Sequence, residues 1–189
     1  MFGREAVHSG QWPVWDPYSF AGFPYAANSQ SQIYYPLTWL LWLLPLSAHI
    51  QVLAVFNIWF AGFGTYLFVR RLGASRLAAF GSGLAFAGSG IMQLVIEQWG
   101  ISSVYGWLPW VLYTADRALV ERHTGWTAAA AAAVALQLMA GHLQYSVYTI
   151  FALGVWVLWR MATPLRQRAV RRAGEFVARS VVVVALGAG

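Results

Sequence analysis

The sequence predicts an all-α fold, a polytopic transmembrane bundle of about five full spans plus the start of a sixth, with an aromatic and proline-rich extracytoplasmic loop at the N-terminus. Three observations carry this. Of 189 residues, 59% are apolar and only 10% are charged, against roughly 25% charged in a soluble domain. The mean hydropathy is +0.55, more apolar surface than so short a chain can bury in its own core. The arginines also fall in separated clusters between apolar runs, as cytoplasmic loops between membrane spans do.

Residues 1–36 carry Pro13, Pro17, Pro24 and Pro36 among polar groups, which breaks any continuous helix and makes this stretch a surface loop. The Trp-rich run 37–45 ends at Pro45 and is too short for a core of roughly 30 Å, so it suits an interfacial or re-entrant helix. Full spans are expected at about 49–69 and 77–94, joined by a turn at Gly73 and bounded by Arg70, Arg71 and Arg76. A third, 101–115, precedes an expected aqueous loop holding Asp116, Arg117, Glu121 and Arg122. The run 126–160 would make one helix of about 50 Å, so it must fold back at Gly141 and His142 into spans 126–140 and 143–160. Residues 165–179 alternate apolar and arginine positions, as a basic amphipathic helix on an anionic leaflet does, and a sixth span starts at Ser180.

With every arginine except Arg4 on one side, orientation follows. Residues 1–36, the loop around 93–103 and the break at 141–144 share the extracytoplasmic face. A proline-rich loop exported without a preceding hydrophobic helix, and a last span that stops at Gly189, lead to the expectation that the sequence is a fragment at both ends.

The outer face gathers Glu5, His8, Asp16, Asn28, Gln30, Gln32, Glu97, Gln98, His142 and Gln144 among Trp12, Trp15, Tyr18, Tyr25 and Trp99. Carboxylates, imidazoles and amides beside aromatic faces suit a polar ring such as a sugar. Asp16 and Glu97 are the candidate general bases for an acceptor hydroxyl. Structural readings stand beside these. Boundary Trp and Tyr form aromatic belts, Asp16 before Pro17 forms turns, and His142 marks a helix break. Ala79, Gly83 and Ala87 at four-residue spacing read as a close helix contact, and Asn57 as an interhelical hydrogen bond.

The absence of cysteine excludes thiolate metal sites, disulfides and a Cys nucleophile. Gly81, Gly83 and Gly88 follow no strand and make no nucleotide fingerprint. No HExxH or GxSxG motif occurs. No cofactor is implied, dependence on a divalent metal is not readable, and the basic balance reads as membrane anchoring with no nucleic-acid partner.

The segment 10–25, GQWPVWDPYSFAGFPY, followed by Asn28-Ser-Gln30 and Tyr35-Pro36, resembles the first outer loop of the YfhO-like bacterial membrane proteins. The likeness continues through Ala61-Gly62, Arg70-Arg71-Leu-Gly73, Ser75-Arg76, Trp107-Leu-Pro-Trp110 and Gly141-His142-x-Gln144. That family is similar to the GT-C glycosyltransferases, which move a sugar from a polyprenyl-phosphate carrier to an acceptor outside the cytoplasm. The resemblance implies a multi-pass protein of the bacterial cytoplasmic membrane, a polyprenyl-phosphate sugar donor, and an envelope polymer or glycolipid as acceptor. It also implies a carboxylate in the first outer loop, typically upstream of the Gly-x-x-Pro motif, and here Asp16 stands where the family usually has asparagine. Asp16 and Glu97 are the catalytic candidates. Arg4, His8, Trp15, Tyr18, Asn28, Gln30, Gln98, His142 and Gln144 are the expected substrate contacts. A flippase or transporter of lipid-linked precursors, or a scaffold without turnover, is the competing expectation.

Overall fold

A computed structural model describes residues 2–94, 98–166 and 170–188; among these the regular structure is helical, with no strand, and residues 9–35 are mostly loop. The helices are α1 (Phe2–His8), α2 (Pro36–Leu41), α3 (Leu46–Arg71), α4 (Arg76–Ala87), α5 (Gly90–Leu94), α6 (Trp99–Glu121), α7 (Thr124–Met139), α8 (Leu143–Arg166) and α9 (Val170–Ala188). Local chemistry sets the boundaries. Pro36 opens α2 at a position where its missing N–H costs nothing. The Ser75 hydroxyl caps α4 by accepting from Ala78 N at 3.2 Å, and Gly73 turns the chain before it at φ +92°. His123 caps α7 through Nδ1, which accepts from Gly125 N at 3.1 Å.

Several elements differ from the sequence expectation. Residues 2–8 form a short helix ahead of the prolines. Residues 77–94 are divided, since α4 ends at Ala87 and Gly88-Ser89 separate it from α5. Helix α6 runs on to Glu121, so Asp116 and Arg117 are helical and the chain turns only at Arg122, φ +54°. The expected amphipathic segment 165–179 lies largely outside the described residues and side chains, although the backbone of 170–188 forms the single helix α9.

Helix α6 is central, packing on α3, α7, α8 and α9. Its Val111, Ala115, Ala118 and Leu119 meet Ala130, Ala133 and Val134 of α7, Leu153 and Val157 of α8, and Val183 of α9 in one buried cluster. Alanine supplies little volume, so α7 approaches its neighbours closely. Helices α3 and α4 touch through glycine. A Cβ at Gly83 would lie 2.7 Å from the Gly62 carbonyl oxygen, and one at Gly62 would lie 3.2 Å from the Ala87 Cβ, the contact that the small-residue spacing predicts. Buried polar groups tie the helices internally. Asn57 Nδ2 donates to Ser102 Oγ at 3.0 Å and Ser103 Oγ at 3.1 Å. Gln137 Nε2 donates to the Val104 carbonyl and to Thr149 Oγ1.

The outer surface is apolar where a soluble bundle would be polar. Trp59, Phe80, Phe151, Val155 and Leu158 are all more than half exposed. Leu46–Arg71 and Leu143–Ala162 are long and apolar enough to cross a membrane, and only 22% of each apolar window is buried. A soluble protein's core helix is mostly covered, and these two are not.

The two ends of the bundle differ in chemistry. At one end Asp116, fully buried, accepts from Arg71 Nε at 3.1 Å, Arg160 Nε at 2.6 Å and Trp156 Nε1 at 3.2 Å. Glu121 pairs there with Arg71 and Arg117, and the Arg117 guanidinium lies 3.8 Å from the centre of the Trp126 ring. The N-terminal loop covers the other end, where α3, α6 and α8 begin.

Candidate functional site

The loop end encloses a cavity of about 440 Å³. Its wall is drawn from distant segments: Arg4 of α1, Tyr25, Asn28, Gln30, Ser31 and Gln32 of the loop, Thr38 and Trp42 of the α2 region, Leu46 and His49 at the start of α3, Gln98, Gly100 and Ile101 at the start of α6, and His142 at the α7–α8 junction.

Local chemistry holds this wall in place. Asn28 Oδ1 accepts from Gln30 N at 3.0 Å, forming an Asx turn. The next turn leaves Gln32 at φ +53° with its side chain buried, and Gln32 Nε2 donates to the Ala140 carbonyl at the end of α7. Gly141 follows at φ +102°, and a Cβ there would lie 2.8 Å from both Ser29 O and Gln32 Cγ. Glycine at 141 therefore serves the helix break and the loop's close approach together. Two basic side chains of α1 converge on one acceptor: Arg4 Nε donates to the Trp42 carbonyl at 3.0 Å, and His8 Nε2 lies 3.1 Å from the same oxygen. Trp12 stacks on Trp39 with ring centres 5.2 Å apart, and Trp39 meets Trp42 at a tilt with centres 5.3 Å apart.

The cavity favours anions. Arg4 supplies a fixed cation, while no carboxylate lines the wall among the described residues. The Nδ1 of His142 is buried without a hydrogen-bond partner among the described residues, a polar atom with capacity for a ligand. Burial pushes the Tyr25 phenol up, opposed by a hydrogen bond from the Gly3 backbone and reinforced by the Asp16 charge, so Tyr25 is a neutral hydroxyl at physiological pH. Amides, hydroxyls and one indole around one guanidinium suit a hydroxyl-rich ligand bearing negative charge.

Of the substrate contacts expected from sequence, Arg4, Asn28, Gln30, Gln98 and His142 line the cavity. His8 stands behind Arg4. Trp15 packs over Gly22, where a Cβ would meet its ring at 2.6 Å. Tyr18 is 86% exposed, and Gln144 Nε2 donates outward to Tyr148 Oη at 2.8 Å. Asp16 is buried away from the cavity wall. One carboxylate oxygen accepts from Tyr18 N at 2.9 Å, the other from Ser19 Oγ at 2.8 Å, and its backbone pairs with Phe23 to close the 16–23 loop. Glu97 lies outside the described residues; its neighbour Gln98 is on the wall. Sequence reasoning placed Gln32 on the outer face without making it a substrate contact, and it did not select His49 or Thr38. The signal available for His49 was an imidazole in the first turn of a long apolar helix.

Comparison with family models, curated proteins and solved structures finds no match. The functional reading therefore rests on the cavity's own chemistry and on the resemblance of the loop motifs.

Proposed function

We propose that the chain works as the membrane-embedded part of a bacterial glycosyltransferase that moves a sugar from a polyprenyl-phosphate carrier to an extracytoplasmic envelope acceptor. On this reading α3, α4 with α5, α6, α7 and α8 are the five crossings and α9 begins the sixth. The arginine end faces the cytoplasm, and residues 1–36 face outward. The observation that carries the proposal is the cavity itself: at the end opposite the arginine clusters, six separate segments bring one guanidinium, an imidazole whose Nδ1 has no partner among the described residues, and a ring of amides around about 440 Å³.

The chemistry is an inverting displacement at the anomeric carbon. The acceptor oxygen forms the new bond, the C1–O bond to phosphate breaks with its electron pair going to phosphate, and a carboxylate takes the acceptor proton. Arg4 and His142 are assigned to the departing phosphate. Glu97, beside Gln98, is assigned as base. Asp16 is assigned to the loop turn, because both of its oxygens are engaged there. The faces of Trp42, on the cavity wall, and of Trp39 against it are assigned to the first isoprene units of the carrier.

A second reading, a flippase or binding subunit for the same lipid-linked precursor, is favoured by one observation: no carboxylate lines the cavity among the described residues. Sugar transfer from radiolabelled polyprenyl-phosphate donors, measured in membranes, separates the two. The transferase reading expects activity in the wild type and in Asp16→Asn, and loss in Glu97→Gln and Arg4→Gln. Transfer undiminished in Glu97→Gln sinks the assignment of the base. Donor binding without transfer by the wild type favours the second reading.

A further inference from the structure

The Gly62–Gly83 crossing of α3 and α4 leaves a groove of about 360 Å³ on the outside of the bundle. The glycines form its floor. Its walls are Trp59 and Phe63, stacked at 5.5 Å, on one side and Phe80 and Leu84 on the other, all exposed. Almost no polar surface lines it.

Depth and charge together identify an occupant. From Arg70 to Ile58, at the inner end of the groove, is twelve residues of helix, about 18 Å. That is close to half of a roughly 30 Å hydrocarbon core. Helix α4, of 12 residues, reaches the same depth before Gly88 ends it. The groove therefore serves one leaflet. Toward its mouth, flanking the α3–α4 turn, stand the exposed Arg70 at the end of α3 and Arg76 at the start of α4. Arg70 folds over the turn, where its Nη1 donates to the Ala74 carbonyl.

We propose that this groove binds an anionic phospholipid of the arginine-side leaflet, one acyl chain lying over Gly62 and Gly83 and the phosphate held by Arg70 and Arg76. Chain and headgroup are recognised separately, and each needs the other in register. The inference rests on the bundle's crossing the membrane and is independent of the transferase chemistry.

The test uses the chain reconstituted in vesicles of phosphatidylcholine with phosphatidylglycerol, one lipid at a time carrying brominated acyl chains that quench tryptophan. The Trp59 signal is the difference between wild type and Trp59→Phe, and Trp159 of α8, read the same way, reports insertion. The expected result is preferential quenching of Trp59 by the anionic lipid, by about fivefold for each arginine, falling to no preference in Arg70→Gln/Arg76→Gln while the Trp159 signal is unchanged. Equal quenching by both lipids in the wild type overturns the proposal. So does a Trp59 shielded from both lipids while Trp159 is quenched, which would place a second copy of the chain on this face. A Trp159 that neither lipid quenches removes the membrane crossing itself, and the lipid site with it.

Discussion

The Asp116 carboxylate has no exposed surface, and the Arg160 guanidinium, 44 residues further along the chain, closes on it at 2.6 Å. With Arg71 on its other oxygen, this one carboxylate joins α3, α6 and α8. Asp116→Ala would leave the Arg160 guanidinium without its carboxylate and Arg71 with Glu121 alone. Losing one side of a buried ion pair costs about 3–5 kcal/mol, so the variant is expected to unfold at a clearly lower temperature in detergent. A variant as stable as the wild type would show that the pair is solvated.

Glu121, on the same network, titrates differently. The hydrogen bond from Arg117 holds its carboxyl below the usual value of 4.5, with the charges of Arg117 and Arg71 adding to the effect. A carboxylate whose folded value is depressed contributes stability above its unfolded pKa, and this is lost as pH falls through the folded one. Stability should therefore decline below about pH 4.5. Glu121→Gln should flatten part of that decline, read as melting temperature against pH; an unchanged acid limb would contradict the pairing.

Two glycines of one helix should respond with opposite sign. A Cβ at Gly83 meets the Gly62 carbonyl at 2.7 Å, whereas one at Gly81 meets nothing within 4 Å. Gly83→Ala is expected to force α3 and α4 apart and destabilise by more than about 1 kcal/mol. Gly81→Ala is expected to be neutral or to stabilise by up to about 1 kcal/mol through helix propensity. Chemical unfolding in detergent measures both, and similar effects at the two sites would contradict the crossing geometry.

Asn57→Ala removes both donors to Ser102 and Ser103. Interhelical hydrogen bonds in membranes are worth about 1 kcal/mol. A loss of that order is expected by unfolding, and it should not exceed the effect of Asp116→Ala.

The features legible in the sequence are those whose cause is local. Gly141-His142 breaks the long apolar run because glycine there takes a left-handed backbone, and Ala79, Gly83 and Ala87 share a face because four residues make about one turn. Asn57 could be recognised as an interhelical donor because a lone amide inside an apolar run needs a partner. The charge hub was not legible. Asp116, Arg117, Glu121 and Arg122 have the composition of an aqueous loop, and it is Arg71 and Arg160, each more than 40 residues distant, that let Asp116 be buried within the helix. The site was half legible for the same reason. Arg4, Asn28, Gln30, Gln98 and His142 lie on exposed or junction segments that the arginine pattern assigns to one face. Trp15, Tyr18 and Gln144 satisfy that pattern equally, yet Trp15 packs over Gly22, Tyr18 faces outward and Gln144 donates to Tyr148 one turn along α8. Asp16 shows the same limit, since an acidic residue before proline reads alike as base or turn until its Tyr18 and Ser19 partners are located.

The central claim is that the cavity end and the arginine end lie on opposite sides of a membrane, with the cavity outward. The chain has no cysteine, so single-cysteine variants can be labelled without background. Gln11→Cys, in the exposed loop, and Thr124→Cys, at the exposed start of α7, would be treated with a membrane-impermeant maleimide in intact cells and again after permeabilisation. The expected result is labelling at position 11 in intact cells and at position 124 only once the membrane is opened. Labelling at position 124 in intact cells, or protection of position 11 until the membrane is opened, would contradict the orientation and the extracytoplasmic site built on it.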